Sequence, residues 1–150
     1  MNIMLREVNR DNWFSIVQLQ VADDQKGFVA SNAFSLTQAH YEPESKLVPL
    51  GAFDGDTPVG FVMYGQYHHE GQDLWFIFRL MVDKNQQRKG YGRAIMEQAI
   101  ERMKTLPNSE TLYISFLPEN SAAKNLYAGL GFEDTGVMDE DEIVYRLKVT

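Results

Sequence analysis

Apolar and polar positions alternate across residues 3–8, the two-residue period of a short strand with one buried face. The period then lengthens, and Trp13, Ile16, Val17 and Leu19 fall on one face of a helix that Asp11 can cap. Residues 23–32 follow neither period. Ser35 reads as the cap of a second short helix ending near Tyr41, ahead of Pro43. Residues 48–53 and 59–64 are apolar runs joined by Asp54-Gly55-Asp56, the composition of a tight hairpin turn. Residues 68–73 are polar and include Gly71, which predicts a loop. Residues 74–82 are almost continuously apolar, as in a strand buried on both faces, with Arg79 as the lone charge.

The second half repeats the alternation of periods. Met96, Ala99, Ile100 and Met103 stand at i, i+3, i+4 and i+7 of a helix that follows Gly92 and stops at Pro107-Asn108. A strand over 112–117 leads to a helix with Ala123, Leu126, Tyr127 and Leu130 on one stripe and Gly131 as its C′ stop. Strands over 132–138 and 143–148 flank an acidic turn, Asp139-Glu140-Asp141-Glu142, read as a solvated hairpin tip. The order β-α-α-β-β-β-α-β-α-β-β predicts an α/β fold. Its sheet is expected to be mixed, mostly antiparallel and twisted, with about six or seven strands flanked by about four helices. No internal repeat or Pro/Ser-rich linker interrupts it, so residues 1–150 are expected to form a single domain.

Composition narrows the function classes. A formal net charge of −7 opposes general nucleic-acid binding, which needs a basic face, and admits a cationic small-molecule substrate. Cysteine is absent, which removes disulfides, thiolate metal sites and a cysteine nucleophile; no metal is expected. No run reaches the ~20 apolar residues that cross a bilayer, and residues 1–6 lack the pattern of a signal peptide. A cytoplasmic protein without membrane contact is the expectation. Exposed apolar residues in the terminal strands would favour a homodimer.

The densest chemical signal lies between the buried strand and the third helix: Val82-Asp83-Lys84-Asn85-Gln86-Gln87-Arg88-Lys89-Gly90-Tyr91-Gly92-Arg93. Two glycines let backbone N–H groups approach an anion closely, and the opening turn of a helix supplies unpaired donors at its positive end. Arg88, Lys89 and Arg93 add positive charge, so the stretch suits a diphosphate. It lacks the Gly-Lys-Ser/Thr of a P-loop and the third glycine of a dinucleotide fingerprint. A turn that needs glycines only to bend has the same spacing.

Gln87-x-x-Gly90-x-Gly92 resembles the Q/R-x-x-G-x-G/A loop of the GNAT acetyltransferases. The segment Asn120-Ser121-Ala122-Ala123-Lys124-Asn125-Leu126-Tyr127-Ala128-Gly129-Leu130-Gly131-Phe132 is similar to that family's N-x-x-A-x-x-L-Y-x-x-x-G-F segment. The resemblance implies that acetyl-CoA is the cosubstrate. The loop from Gln87 through Arg93 would hold its pyrophosphate, and the backbone of Leu80, Met81 and Val82 its pantetheine arm. Asn120 would cap the helix or bond a ligand amide. Tyr127 would point at the coenzyme sulfur, where a phenol of pKa about 10 can protonate the leaving thiolate.

Attack requires a free amine, so a base is expected. Glu70, Asp73, Asp23, Asp24 or a water chain are the candidates. Some family members carry an acid on the strand before the loop, but residues 75–81 contain none. His68 and His69 are adjacent and make a poor joint site for a metal. Asp11-Asn12, Val21-Ala22-Asp23-Asp24-Gln25, Phe28-Val29 and the run from Val59 to Gly65 look like bacterial spermine/spermidine acetyltransferases. That likeness implies a polycationic amine as acceptor. The rival acceptors are a protein N-terminus, a lysine side chain or an aminoglycoside, and the rival class is a non-catalytic acetyl-CoA sensor.

Overall fold

Turn residues with left-handed backbone organise the sheet. Gly55 (φ 62°) folds β2 (Val48–Asp54) onto β3 (Thr57–His69), and Glu70 (φ 50°) with Gly71 (φ 77°) folds β3 onto β4 (Gln72–Val82). A two-residue turn with positive φ at both positions matches the twist of the strands it joins. The polar stretch over 68–73 is therefore no loop: both strands continue into it, and its side chains are polar because the hairpin tip projects beyond the core.

The computed structural model describes residues 1–149. Among them seven strands form one sheet, adding β1 (Ile3–Glu7), β5 (Thr111–Phe116), β6 (Glu133–Asp139) and β7 (Glu142–Lys148). The order is β1-β2-β3-β4-β5-β7-β6, antiparallel throughout except between β4 and β5. Four α-helices accompany it: α1 (Trp13–Gln18), α2 (Asn32–Tyr41), α3 (Tyr91–Met103) and α4 (Ser121–Gly129). The expected α/β architecture is what forms. None of these helices is long and apolar enough to cross a membrane.

The sheet buries both faces. On one, Ile95, Met96, Ala99 and Met103 of α3 pack against Leu50, Val59, Val62 and Leu112, and Ala123 and Tyr127 of α4 join that cluster. On the other, Ile16 of α1 meets Phe53, Phe61, Met63 and Met81, with Leu36 and Ala39 of α2 packed alongside. Alternate residues of β3 serve opposite faces, the two-residue period of a strand covered on both sides. The edge strands β1 and β6 keep Met4, Val137 and Met138 exposed.

Two caps differ from the sequence reading. Ser31, not Ser35, starts α2: its Oγ accepts from the Phe34 N–H at 3.1 Å. Ser35 is fully buried inside the helix and donates back to the Ser31 carbonyl at 3.1 Å. The residue before α1 is Asn12 rather than Asp11. Asn9 shapes that entry, its side-chain oxygen accepting from the N–H groups of Asp11 and Asn12 at 2.8 and 3.0 Å. An asparagine turn ahead of the helix thus replaces a capping aspartate.

The decisive irregularity is in β4. It runs beside β3 over its whole length but pairs with β5 only through Trp75, Phe76 and Ile77. At that point the register with β3 slips: Tyr64 faces Ile77 and Met63 faces Arg79, leaving Phe78 as an extra residue. Such a bulge bends its strand. The expectation of burial on both faces therefore holds for Trp75, Phe76 and Ile77, whereas Phe78, Arg79 and Leu80 are only half-buried along an open gap.

Close approach at Gly60 fixes how β3 lies on β4 and α3. A Cβ there would stand 2.5 Å from the Met81 carbonyl oxygen and 2.9 Å from Ile95 Cδ1. Gly60→Ala should destabilise the fold by about 1–3 kcal/mol, read as a lower urea midpoint at unchanged m. Gly27→Ala, where a Cβ meets nothing within 4 Å, is the matched control and should leave the midpoint in place.

The hairpin tip carries a titrating tether. His68 Nδ1 bonds Asp73 Oδ1, and Nε2 lies 3.0 Å from the Glu44 carbonyl oxygen, so the Asp73 bond first and the carbonyl second raise the His68 pKa. A raised folded-state pKa makes the tether fully effective below the ordinary histidine range and loses it as pH rises through the raised value. Asp73→Asn should return the His68 titration, followed by NMR, toward about 6.5.

Candidate active site

Where β4 and β5 part, a cleft of about 520 Å³ opens. Its walls are the free edge of β4, Ile114, Ser115 and Phe116 of β5, the start of α3, one face of α4, and Phe28, Val29 and Ala30. Backbone groups of β4 beyond Ile77 have no β5 strand to bond. They present a ready edge to an extended ligand. Leu80, Met81 and Val82 all line the cleft.

The loop after β4 is held by its own polar side chains. Asp83 accepts from the N–H groups of Asn85 (3.2 Å) and Gln20 (2.9 Å), while the Lys84 N–H bonds the Gln20 carbonyl at 2.7 Å. Gln87 donates from Nε2 to the Val82 carbonyl (3.0 Å) and to Gln25 Oε1 (2.7 Å), and accepts from Gln25 Nε2 at 3.2 Å. Gln87 therefore ties the loop to the 3₁₀ turn Asp23–Gln25, its amide committed to protein partners. Arg88 (φ 64°) and Gly90 (φ 82°) both take left-handed backbone, and Gly90 caps α3.

The first intrahelical bond of α3 runs from the Ala94 N–H to the Gly90 carbonyl. The N–H groups of Tyr91, Gly92 and Arg93 precede it, at the positive end of the helix dipole. Gly92 faces Leu126 of α4, where a Cβ would come to 3.4 Å. The Tyr91 hydroxyl donates to Asp54 Oδ2 at 2.6 Å, which pins α3 to the β2–β3 turn. That bond raises the Tyr91 pKa and lowers that of Asp54.

The three cations expected here separate. Arg88 lines the cleft. Lys89 donates to Gln86 Oε1 at 3.0 Å, and Arg93 reaches Glu97 at 3.7 Å and the Gly129 carbonyl at 3.5 Å. Neither Lys89 nor Arg93 is among the residues that line the cleft.

From α4, Asn120 and Tyr127 enter the opposite wall. Asn120 caps the helix, its Oδ1 accepting from the Ala123 N–H at 3.2 Å, which leaves its NH₂ group for the cleft. Tyr127 packs against Phe116 and Phe132, with ring centroids 5.5 and 6.0 Å away, and is 6% exposed. Burial first, and the charge of Glu142 second, push its pKa well above the usual phenol value. The hydroxyl stays protonated through the neutral range, as a proton donor must.

None of the four carboxylates considered for the base is on the cleft wall. Glu70 sits in the hairpin turn, Asp73 is bonded to His68, Asp23 pairs with Lys26 at 3.0 Å, and Asp24 is exposed. The acid that lines the cleft is Glu142, from the hairpin read in sequence as a solvated tip. Its Oε1 accepts from Ser115 Oγ at 2.8 Å. Nothing local marks it in the sequence, because only the antiparallel pairing of β5 with β7 brings the start of β7 beside Ser115.

Arg79 of β4 lines the cleft as well. Its guanidinium donates to the Phe78 carbonyl (3.0 Å) and Gln38 Oε1 (2.9 Å) and lies 5.9 Å from the Phe34 ring, while Nε is buried without a partner. Burial lowers its pKa, and the charges of Glu142 and Glu42 oppose that shift. Among the described residues no three His, Asp or Glu side chains group as metal ligands.

A mixed sheet that parts at its single parallel pair, with a helix N-terminus at the mouth of the gap, defines an acetyltransferase architecture. The chain belongs to the acetyltransferase (GNAT) family, whose family model matches residues 6–132. It is similar to the probable spermine N(1)-acetyltransferase of Bacillus subtilis subsp. natto and to the spermine/spermidine N(1)-acetyltransferase of Bacillus subtilis strain 168. Each is 29% identical over 147 residues and covers 93% of both chains. Among solved structures it resembles the spermidine N-acetyltransferase of Vibrio cholerae in complex with CoA and spermine. There the TM-score is 0.73 at 17% identity, covering 97% of this chain and 93% of that one.

The cap of α4 gives a test of how the wall is held. Asn120→Ala should cost about 1 kcal/mol in urea unfolding, and Asn120→Asp, which keeps the capping oxygen, should restore most of it.

Proposed function

We propose that this acetyltransferase moves the acetyl group of acetyl-CoA to a primary amine of a polyamine, by direct attack while both substrates are bound. The observation that carries the acyl half is the convergence on one cleft of an unpaired β4 edge, the open N-terminus of α3 and the buried Tyr127. An extended amide-bearing arm fits beside Leu80, Met81 and Val82, and a diphosphate fits the N–H groups of Tyr91, Gly92 and Arg93 beside Arg88. Gln87, Lys89 and Tyr91 then act as braces and field charges around the loop. Gly90 supplies the left-handed turn that aims it.

Tyr127 supplies the proton. As the nitrogen–carbon bond forms and the carbon–sulfur bond breaks, the departing sulfur takes the phenolic hydrogen, and the nitrogen gives up a hydrogen that restores the phenol. The polyamine half rests on the 29% identity with spermine/spermidine acetyltransferases across 93% of the chain. The net charge of −7 accords with a polycationic acceptor. Small-molecule work of this kind fits a cytoplasmic enzyme.

Arg79 favours a second reading. A half-buried guanidinium lining the same cleft as Glu142 suits an acceptor that carries a carboxylate as well as an amine, such as free lysine. A panel of spermidine, spermine, a diamine, lysine, an aminoglycoside and a short peptide, followed by thiol release, separates the two. Saturable release with the polyamines and not with lysine is expected, and the reverse pattern would transfer the role to lysine. Tyr127→Phe should lower kcat by about 10²–10⁴-fold while the acetyl-CoA Kd from calorimetry stays within twofold. A sensor domain would show no turnover for the substitution to remove.

A further inference from the structure

We infer that Glu142 is the catalytic base and ammonium-binding residue of the acceptor half of the cleft, oriented by Ser115. The inference rests on the amine-acetylation reading and assigns a role that β4 leaves open. A primary ammonium of pKa about 10 is neutral in roughly one molecule in a thousand at pH 7, so some group must receive a proton before attack. The one charged residue that β4 puts on the cleft wall is Arg79, which repels a proton rather than accepting one. Glu142 is the one carboxylate among the residues lining the cleft.

Its placement comes from two strands. β7 begins at Glu142, and β5 pairs with β7 so that Phe116 faces Ile143 and Ser115 faces Val144. Ser115 Oγ then donates to Glu142 Oε1 at 2.8 Å, which fixes the carboxylate and leaves Oε2 to face a ligand. The carboxylate acts on both neighbours in the cleft: it adds to the rise that burial causes in the Tyr127 pKa and opposes the fall that burial causes in that of Arg79. Asp139, Glu140 and Asp141 are the charges beside it at the turn, and Glu133, Asp134, Arg146 and Lys148 are the others on the hairpin.

The proton balance closes with these groups. Glu142 accepts the first hydrogen of the ammonium and releases it to solvent through the open mouth of the cleft. The nitrogen lone pair attacks the thioester carbonyl, and the nitrogen's second hydrogen is the one that returns to Tyr127 after the phenol has protonated the sulfur. One proton is released per acetyl group transferred. The two ionisable side chains thus divide the work, one taking a proton from the nucleophile and one giving a proton to the leaving group.

The test uses the full chain with Glu142→Gln, which keeps an oxygen for Ser115 and removes the charge. Thermal unfolding and the acetyl-CoA Kd should match wild type. At pH 7 kcat/KM for the preferred amine should fall at least 10²-fold. That deficit should shrink steadily up to pH 9.5 as the free amine appears in solution. Calorimetric binding of spermidine should weaken at least tenfold. Ser115→Ala should show the same pH-dependent deficit in smaller measure, which a merely structural role would not produce.

Activity within threefold of wild type at pH 7, or a deficit equal at every pH with unchanged spermidine binding, would overturn the assignment. If wild type acetylates lysine but no polyamine, the polyamine reading fails on its own. Glu142 is then judged by the same variant and pH series on lysine.

Discussion

The parting of β4 from β5 after three paired residues is the constraint on which the rest depends. Unpaired backbone in the middle of a sheet is costly unless water or a ligand reaches it, so the gap must remain open to solvent. The bulge at Phe78 bends β4 away, while β3 holds the same strand in register on its other side. What results is a fixed row of donors and acceptors beside an open cleft. A packed sheet with β4 and β5 paired to their ends would have nowhere to place an acyl donor.

The elements around the gap are fixed to it by specific ties. Asp83 and Gln87 bond the loop after β4 to residues 20 and 25, and Tyr91 bonds the start of α3 to Asp54 of the β2–β3 turn. These bonds aim the unpaired N–H groups of α3 into the cleft. The residues that the family motif marks thus divide by place: Arg88, Tyr91 and Gly92 line the cleft, Lys89 and Arg93 do not, and the Gln87 and Tyr91 side chains are bonded to neighbouring elements.

Electrostatics divides the cleft into two halves. The α3 end is positive through its dipole and Arg88. On the β5–β7 side Glu142 supplies the negative charge, set against Arg79 from β4. Tyr127 stands between an apolar wall of Phe116 and Phe132 and the charge of Glu142. Both influences hold the phenol in its neutral form.

Local order was legible in the sequence. The 3.6-residue period of α3 and α4, the alternation in β1 and the glycines at hairpin turns each write a backbone preference into a short window. The glycine loop and the Asn120–Tyr127 segment carried enough information to name the family. The cap of α2 and the 68–73 hairpin were misread because neighbouring polar residues offer several equivalent local bonds, and packing selects among them. The acid on the cleft wall was out of reach. Glu142 looks like any exposed hairpin residue until β7 is laid beside β5, and Arg79 looks like an isolated charge until α2 covers it. Short-range preferences are set by the covalent chain and its immediate neighbours. The meeting of Ser115 with Glu142, 27 residues apart in the sequence, is set only when the sheet closes.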